Sequence, residues 1–360
     1  MAPIWGNLAD RFGFKAMVIR AGLPNGIVYL LMSTVQTPWQ LTLVRLLYGL
    51  TSGYMPAATA LASSFADPSQ AGKTMAFFQR SAILGQSLGP LLGGVFSAWL
   101  GIRTTFIVAD IMMLINTGVI VIGVKMNRTT SKKARRMHLF LDIKEAFQSK
   151  GVGLIFLMFV MLQVSIAMLI PVIGLFVPQL ILPIHTMHAL TLLTQMIGRR
   201  RMDLVVTGAI FSLPSWISFI VVGLWGRYSD HVGRKIVLMF TLIGGALFVG
   251  LQSLTQTVIG LGLLRLGSGA FMSGVKPNLN ALITDLLPAN IRGRIFAIMG
   301  SAMSIGTVTG SLLGGFMGTT WGLRSVFVAS AMSLLGVATI LLGLTTSNNI
   351  EFRRKATNKN

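Results

Sequence analysis

Long apolar runs, each broken by a short polar or charged stretch, recur along the whole chain of 360 residues. Residues 102–124, 152–180 and 236–251 are the plainest examples. A helix needs roughly 20 apolar residues in a row to cross the hydrocarbon layer of a bilayer. By that measure the pattern predicts ten spans, at about 16–35, 39–64, 74–99, 102–124, 152–175, 205–224, 236–253, 257–284, 294–318 and 323–344. The fold class this predicts is an all-α polytopic membrane protein.

Composition agrees. The chain is 53% hydrophobic and 11% charged, whereas a soluble domain carries about 25% charged residues. So few charges cannot cover a water-facing surface of this size. The net charge of +21 would suit a nucleic-acid binder, so the position of the basic residues decides its meaning. If the loop containing Asp10 faces the cytoplasm, 20 of the 30 lysines and arginines fall in cytoplasmic loops or the tail, five in external loops and five within spans. Cytoplasmic loops carry such an excess. The charge is therefore a topology signal, and no nucleic-acid partner is expected. There is no cysteine, and the four histidines (His138, His185, His188, His231) are scattered. No disulfide framework, thiol nucleophile or metal site is predicted.

The polar stretches repeat. PIWGNLADRFGFK at residues 3–15 aligns without gaps to GLWGRYSDHVGRK at 223–235, agreeing at five of thirteen positions. ILGQSLGPLLGGVFSAWLGIRTTF at 83–106 aligns to SIGTVTGSLLGGFMGTTWGLRSVF at 304–327, agreeing at nine of 24 positions. Between these blocks Arg45 maps to Arg265, Gly49 to Gly269 and Pro68 to Pro288 at an offset of 220. The chain is thus a duplicated unit whose copies share one orientation, related by an axis along the membrane normal. The expected organisation is an N-terminal bundle at 1–124, a basic cytoplasmic linker at 125–150, a C-terminal bundle at 151–345 and a cytoplasmic tail at 346–360. The second copy carries two spans ahead of its charged phrase, and the first has only a few residues there. The internal ruler therefore predicts a twelve-helix design in which the first two helices, roughly 70 residues, are missing and the first bundle is incomplete, holding helices three to six.

These phrases resemble a known family. Trp5-Gly6-Asn7-Leu8-Ala9-Asp10-Arg11-Phe12-Gly13-Phe14-Lys15 resembles the cytoplasmic signature between the second and third helices of the major facilitator superfamily. Gly85-Gln86-Ser87-Leu88-Gly89-Pro90-Leu91-Leu92-Gly93-Gly94 is similar to the fifth-helix signature of its drug:proton antiporter branch, and Arg45-Leu46-Leu47-Tyr48-Gly49 to the fourth-helix arginine motif. In place of the glutamine often found before the glycine of the arginine motif stands Tyr48. The resemblance implies the major facilitator fold and multidrug efflux from the cytoplasmic membrane of a bacterium. It further implies a proton gradient in place of any cofactor, a small-molecule substrate, the lipid bilayer as surroundings, and action as a monomer without enzymatic chemistry. No GxxxxGK[ST] loop is present, which argues against ATP drive.

The motifs then receive expected roles. In the gating phrase, Gly6 and Gly13 permit a tight turn, and Asp10 sits among Arg11 and Lys15; the second copy is Gly226, Asp230, Gly233, Arg234 and Lys235. The resemblance implies that the acidic group latches the two halves, and helix N-termini near Gly72 and Gly293 are the expected partners. Gly85, Gly89 and Gly93 recur every fourth residue and so share a helix face, which small residues suit to close packing in lipid. Pro90, with Gly94 beyond it, is expected to bend that helix. Gly306, Gly310 and Gly314 repeat the face in the second copy, with Ser311 in place of the proline. Such a bent, smooth face is expected to let the two halves meet and rock at their interface, with static packing the alternative for both copies.

Charges within spans are functional candidates by default. Arg45 and Asp110 are expected to pair at similar depth, with Arg265 the repeat mate of Arg45 and Lys276, before Pro277, deepest in its span; these four form the candidate proton and substrate cavity. Arg80 is a lesser candidate, and Arg20 is close enough to the cytoplasmic end of its span to reach water. The loop 182–203, expected to be external, carries Arg199, Arg200 and Arg201 against the charge bias. Two other functions stay open: a symporter for sugars or other metabolites, and a remnant that inserts without transporting.

Overall fold

The computed structural model describes residues 12–65, 71–124, 150–181, 198–286 and 289–357. They fold into eleven α-helices and one turn of 3₁₀-helix, with no strand among the described residues. In chain order these are α1 (Phe14–Thr34), α2 (Pro38–Thr51), α3 (Tyr54–Ser64), α4 (Ala71–Trp99), α5 (Ile102–Gly123), α6 (Lys150–Ile181), α7 (Arg199–Val232), α8 (Arg234–Leu251), α9 (Val258–Leu286), α10 (Ala289–Thr320) and α11 (Leu323–Thr357). Seven of them, α1, α5, α6, α7, α8, α9 and α11, are long and apolar enough to cross a membrane. Helices α4 and α10 are 29 and 32 residues long but carry the glycine-rich stretches, which lower their hydropathy.

The repeat is visible in the backbone. Gly13 and Gly233, mates at offset 220, are the N-caps of α1 and α8 with φ of +85° and +102°. Gly101 and Gly322, mates at offset 221, precede α5 and α11 with φ of +87° and +86°. Side chains rarely adopt that conformation, so glycine at these four turns is a requirement of the chain path.

The span expected at 39–64 is not one helix. It is α2 and α3, broken at Ser52–Gly53, where Gly53 has φ of +120°. The sequence has a proline at 56, which has no N–H to give the residue-52 carbonyl, so one continuous helix is disfavoured. In the second copy α9 runs unbroken through Pro277, with Ser273 at the place of Gly53. At its start α2 has a full capping box: Thr37 Oγ1 accepts from Gln40 N at 3.3 Å, Gln40 Oε1 accepts from Thr37 N at 3.2 Å, and Pro38 takes the first helical position. Helix α7 begins at Arg199, six residues before the expected span at 205, so the three arginines form its first turn instead of a loop. The linker from 125 to 149 and residues 182–197 lie outside the described residues.

By contact the described residues divide into two units. The first holds the helices up to residue 124 together with 198–208, and the second holds 150–181 with 209–357. In the first unit α1 packs on α5 and on α2 and α3, around a small core of Met17, Val18 and Ala57 with Tyr54, Leu61 and Ile120 against it. The second unit is larger inside. Helix α6 lies along α10 and α11, and α8 along α9 and α11, burying Met158, Leu242, Leu279, Phe327, Leu334 and Leu341. Paired hydroxyls lock α6 to α11: Ser165 Oγ donates to the Ser330 carbonyl and Ser330 Oγ to the Ser165 carbonyl, each at 2.9 Å. Hydroxyl-to-backbone bonds of this kind hold helices together where the solvent is hydrocarbon.

Candidate functional site

The charged phrases tie helix ends together, differently in each unit. In the first, Lys15 Nζ donates to the carbonyls of Val121 at 2.8 Å and Val124 at 2.6 Å, at the C-terminal end of α5. An ammonium there satisfies carbonyls that the helix leaves open and faces the negative end of its dipole. In the second unit the neighbouring residue acts. Arg234 Nη1 donates to the Ala281 carbonyl at 2.9 Å and lies 2.8 Å from Asp285 Oδ2, at the C-terminal end of α9. Asp285 was not a sequence candidate, since its mate is Phe65 and no repeated acid marks it. Asp230 is exposed at the end of α7, and Lys235 is half-buried at the start of α8. A Cβ on Gly226 would meet nothing within 4 Å, so that glycine is not needed for close packing. Trp225, beside it, donates from Nε1 to the Ala270 carbonyl at 2.7 Å and packs at a tilt against Phe240 and Phe271. Gly6, Asp10 and Arg11 lie outside the described residues.

The antiporter stretch on α4 has two faces. A Cβ on Gly94 would lie 2.6 Å from the Leu204 carbonyl oxygen and 3.1 Å from Gly208 Cα, and a Cβ on Gly208 would strike the Pro90 carbonyl. Backbone thus meets backbone between α4 and the first turns of α7, through Pro90 and Gly94. Gly85, Gly89 and Gly93, expected to be the close-packed face, have nothing within 4 Å. Their mates Gly306, Gly310 and Gly314 are tightly packed against α6. At the far end of α4, a cavity of about 650 Å³ lies between its last turn, the start of α5 and the start of α7, with Arg200 and Arg201 in its wall.

Within the spans the expected Arg45–Asp110 pair does not form. Asp110 is 6% exposed, between α5 and α1, and its Oδ1 has no hydrogen-bond partner. The space it fills is made by Gly26, where an added Cβ would lie 2.8 Å from that oxygen. Arg45 is exposed on α2, within electrostatic range of Tyr29, which packs edge-on to Tyr48 with ring centroids 5.7 Å apart. The two charges sit on different faces of the unit, because α1 lies between α2 and α5. Arg265 is half-buried on α9, with Nε buried and unpartnered. Lys276 and Arg80 are exposed.

Around the α2–α3 break lies a polar layer that sequence reasoning missed. Thr51 Oγ1 donates to Asn25 Oδ1 at 2.8 Å, and Asn116 Nδ2 donates to the Tyr54 hydroxyl at 2.7 Å. Asn25 is buried at the middle of α1, so the layer sits at mid-depth. A break at such depth is tolerated where side chains satisfy the backbone or line a polar space. The signal lies in Asn25 and Asn116, two uncharged amides in otherwise apolar runs.

A duplicated helical chain with charges inside long apolar helices and a helix broken among them has the make-up of a multi-pass membrane protein. The Major Facilitator Superfamily profile matches residues 1–197 and again 173–359, and the chain belongs to that family. Among curated proteins it is similar to the multidrug resistance protein MdtG of Escherichia coli, in several strains. The identity is 28% over 330 residues, covering 92% of this chain and 77% of the relative. Among solved structures it is similar to the nucleoside transporter NupG, with a TM-score of 0.73 at 14% identity, covering 95% of this chain and 86% of that one. That likeness concerns the fold.

Proposed function

We propose that the chain exports small hydrophobic drugs in exchange for protons, by alternating access of a cavity near the bilayer midplane. The similarity to a multidrug resistance protein along 92% of the chain carries this reading, and the GQSLGPLLGG stretch, with its backbone contact to α7, supports it. The proton-carrying group is Asp110, an acid with a free carboxylate oxygen inside the bundle. Arg45, Arg265 and Lys276 serve the same path or the substrate. The transporter works as a monomer in the cytoplasmic membrane of a bacterium.

The test is ethidium flux in everted vesicles, with and without a proton gradient, beside parallel assays of a sugar and a nucleoside. Gradient-dependent ethidium uptake that Asp110→Asn abolishes supports the proposal. Uptake of sugar or nucleoside without ethidium would make the protein a metabolite transporter, and no flux of any kind a remnant.

A further inference from the structure

Arginines at the start of α7 stand against the charge bias of the rest of the chain, and two of them line a cavity. Arg200 and Arg201 form one wall of the space of about 650 Å³ in the first unit, facing Ser97, Trp99, Leu100 and Ile102 at the α4–α5 corner. Its place along the membrane normal follows from α5. That helix starts at the cavity with Ile102 and ends 22 residues later at the carbonyls that Lys15 holds. The run is about 33 Å, close to the hydrocarbon thickness of a bilayer. The cavity therefore lies at the membrane face opposite the Lys15 tie, at the level of lipid headgroups.

Packing one turn deeper fixes its shape. A Cβ on Gly94 would lie 2.6 Å from the Leu204 carbonyl oxygen, and one on Gly208 would strike the Pro90 carbonyl. The two backbones thus touch in antiparallel register and carry their ends to either side of the cavity. Ser97 Oγ donates to Thr105 Oγ1 at 3.2 Å and ties the end of α4 to the first turn of α5.

The walls differ in chemistry. Arg200 and Arg201 are exposed, with no ion-pair or hydrogen-bond partner among the described residues. Asp203 is the only acid within 97–104 or 198–208, and it is not part of the lining. Like charges on adjacent residues repel, and an anion between them offsets that repulsion. The guanidinium fork matches phosphate oxygens in particular. Across the cavity, Trp99, Leu100 and Ile102 are 53%, 51% and 49% exposed, and tryptophan belongs at the boundary between headgroups and acyl chains.

We propose that this cavity seats the phosphodiester headgroup of an anionic phospholipid, held by Arg200 and Arg201, with the acyl chains running out past Trp99, Leu100 and Ile102. The volume lies within the range of roughly 300–1,000 Å³ usual for small-molecule sites. The apolar lip favours a lipid over free phosphate. With no acid in the wall, the ammonium of a zwitterionic headgroup finds no partner, so an anionic lipid is preferred.

The test is native mass spectrometry of the full 360-residue chain in detergent, titrated with phosphatidylglycerol, with phosphatidylcholine of the same acyl chains, and with inorganic phosphate. Phosphatidylglycerol should bind more tightly than either of the others, and added salt should narrow its lead over phosphatidylcholine. Arg200→Gln and Arg201→Gln should each weaken it about fivefold. Arg227→Gln, which removes the same charge from an exposed site at the other end of α7, should not. The double variant Arg200→Lys with Arg201→Lys keeps both charges and should keep the preference for phosphatidylglycerol, a readout that holds if a glutamine variant does not fold. Equal affinity for the two lipids, or an equal loss in Arg227→Gln, would overturn the proposal. Inorganic phosphate bound as tightly as the lipid would overturn it too, in favour of a site for free anions.

Discussion

Gly89 and Gly310 are mates in the repeat, and the same substitution at each should move stability in opposite directions in the chain of residues 1–360. Replacing a mid-helix glycine by alanine favours the helix by about 0.5–1 kcal/mol wherever the methyl group has room. At Gly89 it has room, since nothing lies within 4 Å. At Gly310 the new carbon would sit 2.6 Å from the Val164 carbonyl oxygen, 2.8 Å from Val164 Cα and 2.9 Å from Ala167 Cβ. Carbon contacts are most favourable at about 3.5–4.0 Å, so α6 must retreat by about 1 Å. That retreat also opens the contacts at Gly306 and Gly314 on the same face. Overpacking of this kind costs about 1–3 kcal/mol. The propensity gain is common to both variants and cancels in their difference, which is therefore about 1–3 kcal/mol, or roughly 2–12 °C in Tm at about 2–4 °C per kcal/mol. The assay is intrinsic-fluorescence melting of the purified 1–360 chain in detergent. Gly89→Ala should melt at or slightly above the parent and Gly310→Ala below it. Equal shifts of one sign would refute the packing argument.

Two further outcomes follow from the ties at the helix ends. Arg234 and Asp285 are 33% and 56% exposed along their side chains, so a double-mutant cycle of Arg234→Ala with Asp285→Asn should give a coupling of only about 0.2–1 kcal/mol, shrinking as salt is added; a salt-independent coupling well above that range would contradict the exposed geometry. Lys15→Met removes two donors from the last carbonyls of α5 and should cost about 0.3–1 kcal/mol, read as faster amide hydrogen exchange confined to the final turns of α5, and unchanged exchange there would show that the lysine does not hold them.

Most of the fold was legible because bilayer spans announce themselves by length and apolarity, and because a duplicated chain checks itself. Gly13 and Gly233 illustrate this: each stands where the repeat put it, as a left-handed N-cap before a helix. What escaped the sequence depended on rotation about a helix axis or on partners remote in the chain. Gly85, Gly89, Gly93, Pro90 and Gly94 read as one motif, yet α4 turns Pro90 and Gly94 to α7 and the other three away. Arg45 and Asp110 match in depth, but depth does not fix bearing, and α1 stands between their helices. The Arg234–Asp285 bridge was illegible for another reason. The repeat directs attention to shared residues, and this tie is made by two residues whose mates are Phe14 and Phe65.

Arg45 and Arg265 bring these strands together. On α9, residues 262, 265 and 269 lie on one face, at the three- and four-residue spacings of a helix. At 262 and 269 that face is pressed by α7, through Ile210 and Leu213 and then Pro214 and Ile217. Arg265 is half-buried because it stands between these contacts. On α2 the mates are Thr42, Arg45 and Gly49, again on one face, with nothing against Gly49 and with Arg45 exposed. The repeat makes the two arginines equivalent in sequence, but α9 receives α7 on this face and α2 has no neighbour at Gly49, so their surroundings differ. A cation flanked by a second helix, as Arg265 is, is costly to bury and seldom kept for packing alone.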